Sequence, residues 1–245
     1  MKCIILAAGY ATRLYPLTEN FPKPLLKVGD KTILDWLIGD IDGAGLVDEY
    51  YVVTNHKFAS HFEAWAPDHK SKITVIDDGT STNETRLGAV RDVKLAIDMI
   101  PESEDMLVIA GDNVLDFSLQ RFITYSRSKG TSCIMRCFEP DMARVRKSGV
   151  VVCDEDDLIL EMEEKPSEPK SNWITPPFYY YTAEDSRRVQ EGIDAGCGVD
   201  APGSYIAWLA TRTKVHAMVM PGHRYDIGNL ESYTRVQEEY PGIVL

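Results

Sequence analysis

Two cations, two isolated carboxylates and one Glu-Lys-Pro turn are the residues of this chain best suited to chemistry. Arg13 and Lys23 lie in a loop punctuated by Pro16, Pro22 and Pro24. That loop follows the apolar run Cys3-Ile4-Ile5-Leu6 and the small residues Ala7, Ala8 and Gly9. A buried strand that ends in small residues lets an anion lie against backbone N–H groups, and the two cations add the charge that phosphorylated ligands need. The loop carries neither GxxxxGK nor GxGxxG, so it is neither a Walker-type loop nor a dinucleotide fingerprint. Asp112, in Gly111-Asp112-Asn113, and Asp226, in Arg224-Tyr225-Asp226-Ile227-Gly228, are single carboxylates at strand-to-helix junctions. Such sparse ligation suits Mg²⁺, which completes its octahedron with waters and phosphates. A helix N-cap or an Asx turn explains a lone aspartate there as well. Lys165, held by Pro166, reads by itself as one more exposed charged turn.

The elements that must position these groups come from hydrophobic periodicity. Thr32 caps a predicted helix whose Leu34, Leu37, Ile38 and Ile41 share one face, ending near Gly43-Ala44-Gly45. Residues 49–54, 72–76 and 106–110 read as strands, and 56–65 and 86–100 as helices. Strand and helix alternate with short connections, which is the doubly wound α/β pattern; its ligands collect at the carboxyl ends of the strands. From Thr131 the rhythm changes. Strands are expected at 133–138, 149–153, 158–162, 173–181 and 215–220, with an acidic hairpin turn at 154–157 and helices over 182–195, 204–211 and 229–239.

Composition narrows the classes. The 245 residues carry 38 acidic and 26 basic side chains, a net charge of −12, which argues against a nucleic-acid partner. No apolar run approaches the roughly 20 residues of a membrane span, and the amino terminus lacks signal-peptide architecture, so a cytoplasmic location without membrane partners is expected. The five cysteines are scattered, with no CxxC pair, and read as structural thiols.

From Leu6 to Leu26 the chain reads LAAGYATRLYPLTENFPKPLL, which resembles the signature of the sugar nucleotidyltransferases (nucleoside-diphosphate-sugar pyrophosphorylases), LAxGxGTRLxPLTxxxPKPL. Ala11 stands where that signature has its second glycine. The resemblance runs from Lys2 to about Tyr233 and is to the short form, like the glucose-1-phosphate thymidylyl- and uridylyltransferases. It implies a Rossmann-like, GT-A-like α/β fold: a doubly wound, mostly parallel sheet with a smaller β-rich acceptor-binding subregion. One domain would cover 1–245, with a nucleotide-binding half over about 1–130. The acceptor-binding half, over about 131–245, would also carry the second metal aspartate.

The implied reaction is Mg²⁺-dependent transfer from a nucleoside triphosphate to a sugar 1-phosphate, giving an NDP-sugar and pyrophosphate. The attacking phosphate monoester is already largely ionised, so the site needs positioning and charge neutralisation rather than a general base. By the same resemblance the catalytic residues are Arg13, Lys23, Asp112, Lys165 and Asp226, with Mg²⁺ on Asp112 and Asp226. Leu6, Ala8, Gly9, Arg13, Asn83 and Gly88 would hold the nucleotide. Gly149, Glu164, Lys165 and Asn172 would hold the acceptor. Asn83 and Arg86 replace a glutamine and a proline of the family's base-binding stretch, which leaves the base open.

Pro176-Pro177 and the aromatics that follow keep a second acceptor class open: phosphocholine or a polyol phosphate, used by a cytidylyltransferase. Aromatic faces attract quaternary ammonium groups, although alternate aromatics can equally pack a core. A catalytically silent nucleotide-sugar-binding regulator is the reading from another class, and a homo-oligomer is possible in each.

Overall fold

Cys3, Ile4 and Ile5 are wholly buried, so the first strand, Lys2–Leu6, is covered on both faces, as its unbroken apolar run requires. The computed structural model describes residues 1–244. The chain divides into two compact units, each assembled from separated segments.

The first unit comprises residues 1–86, 110–121 and 221 onward. Its strands Lys2–Leu6, Glu49–Thr54 and Ile73–Asp77 pair in parallel, with Glu49–Thr54 in the middle. Helix Ile33–Ala44 begins with a full capping box between Thr32 and Asp35 and ends at Gly45, whose φ of 63° needs a glycine. Two antiparallel ribbons complete the unit: Lys27–Val28 with Lys31–Thr32, and Asn113–Leu115 with Arg224–Asp226. The last helix, Leu230–Glu239, is tied to the body of the unit by the Tyr240 hydroxyl, which donates to the Leu115 carbonyl at 2.8 Å.

The second unit comprises residues 87–109 and 122–220. It is mixed. Phe178–Tyr181 pairs antiparallel with both Met106–Ala110 and Ser132–Phe138, while Val215–Val219 runs parallel to Ser132–Phe138. Trp173–Thr175 lies between Ser132–Phe138 and Gly149–Cys153, which in turn pairs with Ile159–Glu164. The α/β expectation therefore holds, with its parallel part concentrated in the first unit.

Three local readings change. The strand expected over 173–181 is two strands, because Pro176 and Pro177 have no N–H to give to a ladder. The helix expected over 182–195 is interrupted after Ser186 and resumes at Val189. Helix Gln120–Lys129 was not expected, since its buried face is only Phe122, Ile123 and Ser126 in an otherwise polar stretch. All five cysteines are free thiols, and none of the described helices is long and apolar enough to cross a membrane.

Candidate functional site

In the first unit the signature loop and the Gly111-Asp112-Asn113 turn are joined by hydrogen bonds. Gly111 N–H donates to the Leu6 carbonyl at 2.9 Å, and Asn55 Nδ2 donates to the Ala8 carbonyl at 2.9 Å. A Cβ on Gly111 would stand 3.0 Å from Leu34 Cδ2 and 3.1 Å from Ile5 Cγ2, so the turn sits directly on the core. Gly9, by contrast, is exposed and meets nothing within 4 Å, leaving its backbone open to a ligand. Ala11 adopts the left-handed conformation (φ 45°, ψ 42°), which accounts for a glycine in the signature. Its carbonyl is held by Leu14 N–H at 2.9 Å and by the Thr18 hydroxyl at 2.8 Å. The next residues, Thr12–Leu14, form a single 3₁₀ turn that leaves Arg13 exposed.

Lys23 is buried, and its Nζ donates to Asp112 Oδ2 at 2.9 Å. Asn113 Nδ2 donates to Asp112 Oδ1 at 2.5 Å, and Arg224 Nη1 donates to Asn113 Oδ1 at 2.9 Å. Burial works against the ionised Asp112, but the adjacent Lys23 ammonium and the Arg224 guanidinium outweigh it and hold the carboxyl below its ordinary value. Ribbon register sets Asp226 directly opposite Asn113. Asp112 thus immediately precedes the residue that faces Asp226, although about half the chain separates the two aspartates in sequence.

On the same unit, the loop after Ile73–Asp77 is folded on its own carboxylates. Gly79 N–H bonds Asp77 Oδ1 at 2.8 Å, and Thr80 bonds Asp78 Oδ1 through both N–H and hydroxyl at 2.7 Å. Asn83 lies exposed in a 3₁₀ turn, and its carbonyl accepts from Arg86 Nη1 at 3.0 Å.

The second unit carries Gly88 and the acceptor candidates. A Cβ on Gly88 would lie 2.5 Å from the Val199 carbonyl oxygen, and its φ of 95° also requires glycine. The close approach there is to the chain's own backbone. Gly149 pairs with Glu164 on one side and Thr175 on the other. Lys165 has a left-handed φ of 51°, is about half exposed, and lies 4.0 Å from Asp200. Asn172 spends its amide on the Glu139 carbonyl at 2.8 Å, while its own carbonyl accepts from Glu139 N–H at 2.9 Å. A cavity of about 680 Å³ is lined by Glu163, Glu164, Pro166, Lys170, Cys197 and Ser204, among others. Burial raises the Glu164 carboxyl above its ordinary value, with Lys165 opposing and Asp200 adding to the rise.

Residues 2–242 match the family model described as nucleotidyl transferase. The chain belongs to the nucleotidyl transferase family. A glucose-1-phosphate adenylyltransferase of Fervidobacterium nodosum is 27% identical over 94% of this chain and 59% of its own length. The bifunctional protein GlmU of Methanocaldococcus jannaschii is 28% identical over 93% of this chain and 51% of its own length. The chain thus spans between about half and three-fifths of these relatives. Among solved structures, a UDP-glucose pyrophosphorylase complexed with UDP-glucose superposes with a TM-score of 0.84 at 21% identity, covering 98% of this chain and 97% of that one. That likeness is one of fold.

The signature resemblance implies Mg²⁺. Among the described residues no group of three or more His, Cys, Asp or Glu side chains gathers as a metal cage. What is present is the pair Asp112 and Asp226, the latter exposed and the former with 41% of its side chain exposed. Two hard oxygen donors open to water fit an ion that binds through one or two carboxylates and keeps its remaining positions for water and phosphate. Sequence reading missed Arg224 in this group. Its signal was only a basic residue two positions before Asp226, and the ribbon that makes it count was not foreseen.

Proposed function

We propose that the chain transfers a nucleotidyl group from a nucleoside triphosphate to a sugar 1-phosphate, releasing pyrophosphate and requiring Mg²⁺. The observation that supports this reading is the Lys23–Asp112 pair at the end of the signature loop, with the Asn113–Leu115/Arg224–Asp226 ribbon bringing the segment that carries Asp226 to the residue next to Asp112. Mg²⁺ held by Asp112 and Asp226 would neutralise charge on the triphosphate. Lys23 has two anions to choose between: it is bonded to Asp112 here, and it can pass to a phosphate oxygen once that carboxylate is otherwise engaged. Arg13 and the open backbone at Gly9 supply further positive partners from the same loop. An acceptor phosphate oxygen then attacks the α-phosphorus, the new O–P bond forms, and the bond to the bridging oxygen of pyrophosphate breaks. No proton need move, because the attacking oxygen is already ionised.

For the acceptor, Glu164 and the cavity beside it suit a hydroxylated molecule, with Lys165 the candidate partner for its phosphate. The aromatic stretch lends the phosphocholine alternative little support. Phe178, Tyr179, Tyr180 and Tyr181 are all buried, and the Arg136 guanidinium lies 4.9 Å from the centre of the Trp173 ring. Those rings are already engaged, by the core or by an arginine.

The test is pyrophosphate release from each common triphosphate with glucose 1-phosphate, mannose 1-phosphate and phosphocholine, with and without Mg²⁺. Mg²⁺-dependent release with a hexose phosphate is expected. Preference for phosphocholine by more than about tenfold, a gap of about 1.4 kcal/mol, would overturn the sugar reading.

A further inference from the structure

Three strands of the second unit set Glu164, Gly149 and Thr175 in one row, each directly paired with the next. Directly paired residues share a face of the sheet, so the middle glycine leaves a notch between a carboxylate and a hydroxyl. Both side chains lean into it. A Cβ on Gly149 would stand 2.3 Å from Thr175 Oγ1 and 3.0 Å from Glu164 Oε2. From the facing helix, a Cβ on Gly203 would stand 2.5 Å from the same Glu164 oxygen. Neither glycine has a left-handed backbone, so space around Glu164, rather than conformation, calls for both.

The polar accounting of this notch does not close. Thr175 is 8% exposed, and its hydroxyl has no hydrogen-bond partner. A buried hydroxyl in that state costs about 1–3 kcal/mol, and in a native fold it asks for an explanation. Glu164 supplies only acceptor oxygens. An acceptor hydroxyl that gave its proton to Glu164 would still have lone pairs to satisfy, and a second carboxylate could not serve them. Thr175 can, since its O–H is free to donate. Besides Thr175 Oγ1, the groups nearest the Gly149 Cβ position in the notch are the Glu164 carboxylate at 3.0 Å and the Met162 methyl at 3.5 Å. Both are ends of flexible side chains that can turn aside.

We infer that Thr175 is an acceptor-specificity residue: its hydroxyl donates to the same sugar hydroxyl that donates to Glu164. The inference rests on the sugar 1-phosphate reading above and assigns to this pair the discrimination of one ring hydroxyl. Thr175→Val keeps the shape and removes the donor, and Thr175→Ser keeps the donor. The decisive measurement is kcat/KM for glucose 1-phosphate and its 2-, 3-, 4- and 6-deoxy analogues in wild type and both variants. One deoxy analogue should fall about tenfold or more in wild type. Thr175→Val should lose about tenfold on the parent and show little further loss on that analogue, and Thr175→Ser should retain the discrimination. The melting temperature of Thr175→Val should rise or hold, because an orphan hydroxyl has been removed; Thr175→Ala serves the same comparison if the valine variant does not fold. Unchanged discrimination across the series in Thr175→Val would overturn the inference alone. Absence of turnover with any sugar phosphate in wild type would overturn the underlying reading as well.

Discussion

The two units solve opposite electrostatic problems. In the first, the signature loop's lysine is already tied into a chain of partners: Lys23 with Asp112, Asp112 with Asn113, Asn113 with Arg224. In the second, Glu164 is destabilised by burial, and the Thr175 hydroxyl beside it is unsatisfied. A site for a polyanion must hold its cations in place before the ligand arrives, and internal carboxylates do that. A site for a hydroxylated ring gains selectivity by leaving polar groups short of partners that only the right ring supplies.

Removing the central charge of the first unit should have the largest effect. Asp112→Asn should lower kcat by about a thousandfold or more, measured as pyrophosphate release at saturating substrates. It should also lower the melting temperature, because Lys23, with 8% of its side chain exposed, loses its counter-charge. The stability loss should be smaller than the about 3–5 kcal/mol of a fully buried pair, since Asp112 is itself 41% exposed. Near-normal turnover in a folded variant would end the metal assignment.

Lys23→Ala and Lys165→Ala separate the units by ligand. Calorimetric titration with triphosphate alone should show at least about tenfold weaker binding for Lys23→Ala and little change for Lys165→Ala, whose deficit should appear in the KM for the acceptor. Equal loss of triphosphate affinity in both would merge the two roles.

Acidity turns the contrast into one of sign. The Asp112 carboxyl lies below its ordinary value, so its contribution to stability is present above the ordinary aspartate range and lost as pH falls through its folded value. Glu164 lies above its ordinary value, so its contribution is present below the ordinary glutamate range and lost as pH rises through its folded value. Glu164→Gln should therefore melt higher than wild type at neutral pH, with the advantage vanishing on acidification, while the deficit of Asp112→Asn shrinks in acid. Melting curves from pH 3 to 8 decide it; a Glu164→Gln that melts lower at neutral pH would mean the carboxylate has a partner.

The smallest effect expected is at Ala11. A non-glycine residue in the left-handed region costs about 1 kcal/mol, so Ala11→Gly should raise unfolding free energy by up to about that amount in urea titration. A decrease would show that the gain in unfolded-state entropy outweighs the relief.

Much of this molecule could be read along the chain because the relevant signals are local. The buried first strand, the signature loop, the Thr32 cap and the strand leading to Asp112 each depend on residues within a few positions of one another. The aromatic stretch was half legible: burial was foreseeable, but the break at Pro176-Pro177 takes its meaning from the ladders on either side.

What the sequence determined by itself was the identity of the charged groups and the strand ends that carry them. Only the tertiary structure decided which groups meet. Asp226 is paired with Asn113, the neighbour of Asp112, through a ribbon between residues 113–115 and 224–226, a pairing with no periodicity to announce it. Gly88 is required by the Val199 carbonyl, and Gly149 by a carboxylate and a hydroxyl on two other strands. Side-chain type is written at each position, whereas hydrogen-bond satisfaction belongs to pairs. Where the pairs form across strands distant in sequence, they exist only once the chain has folded.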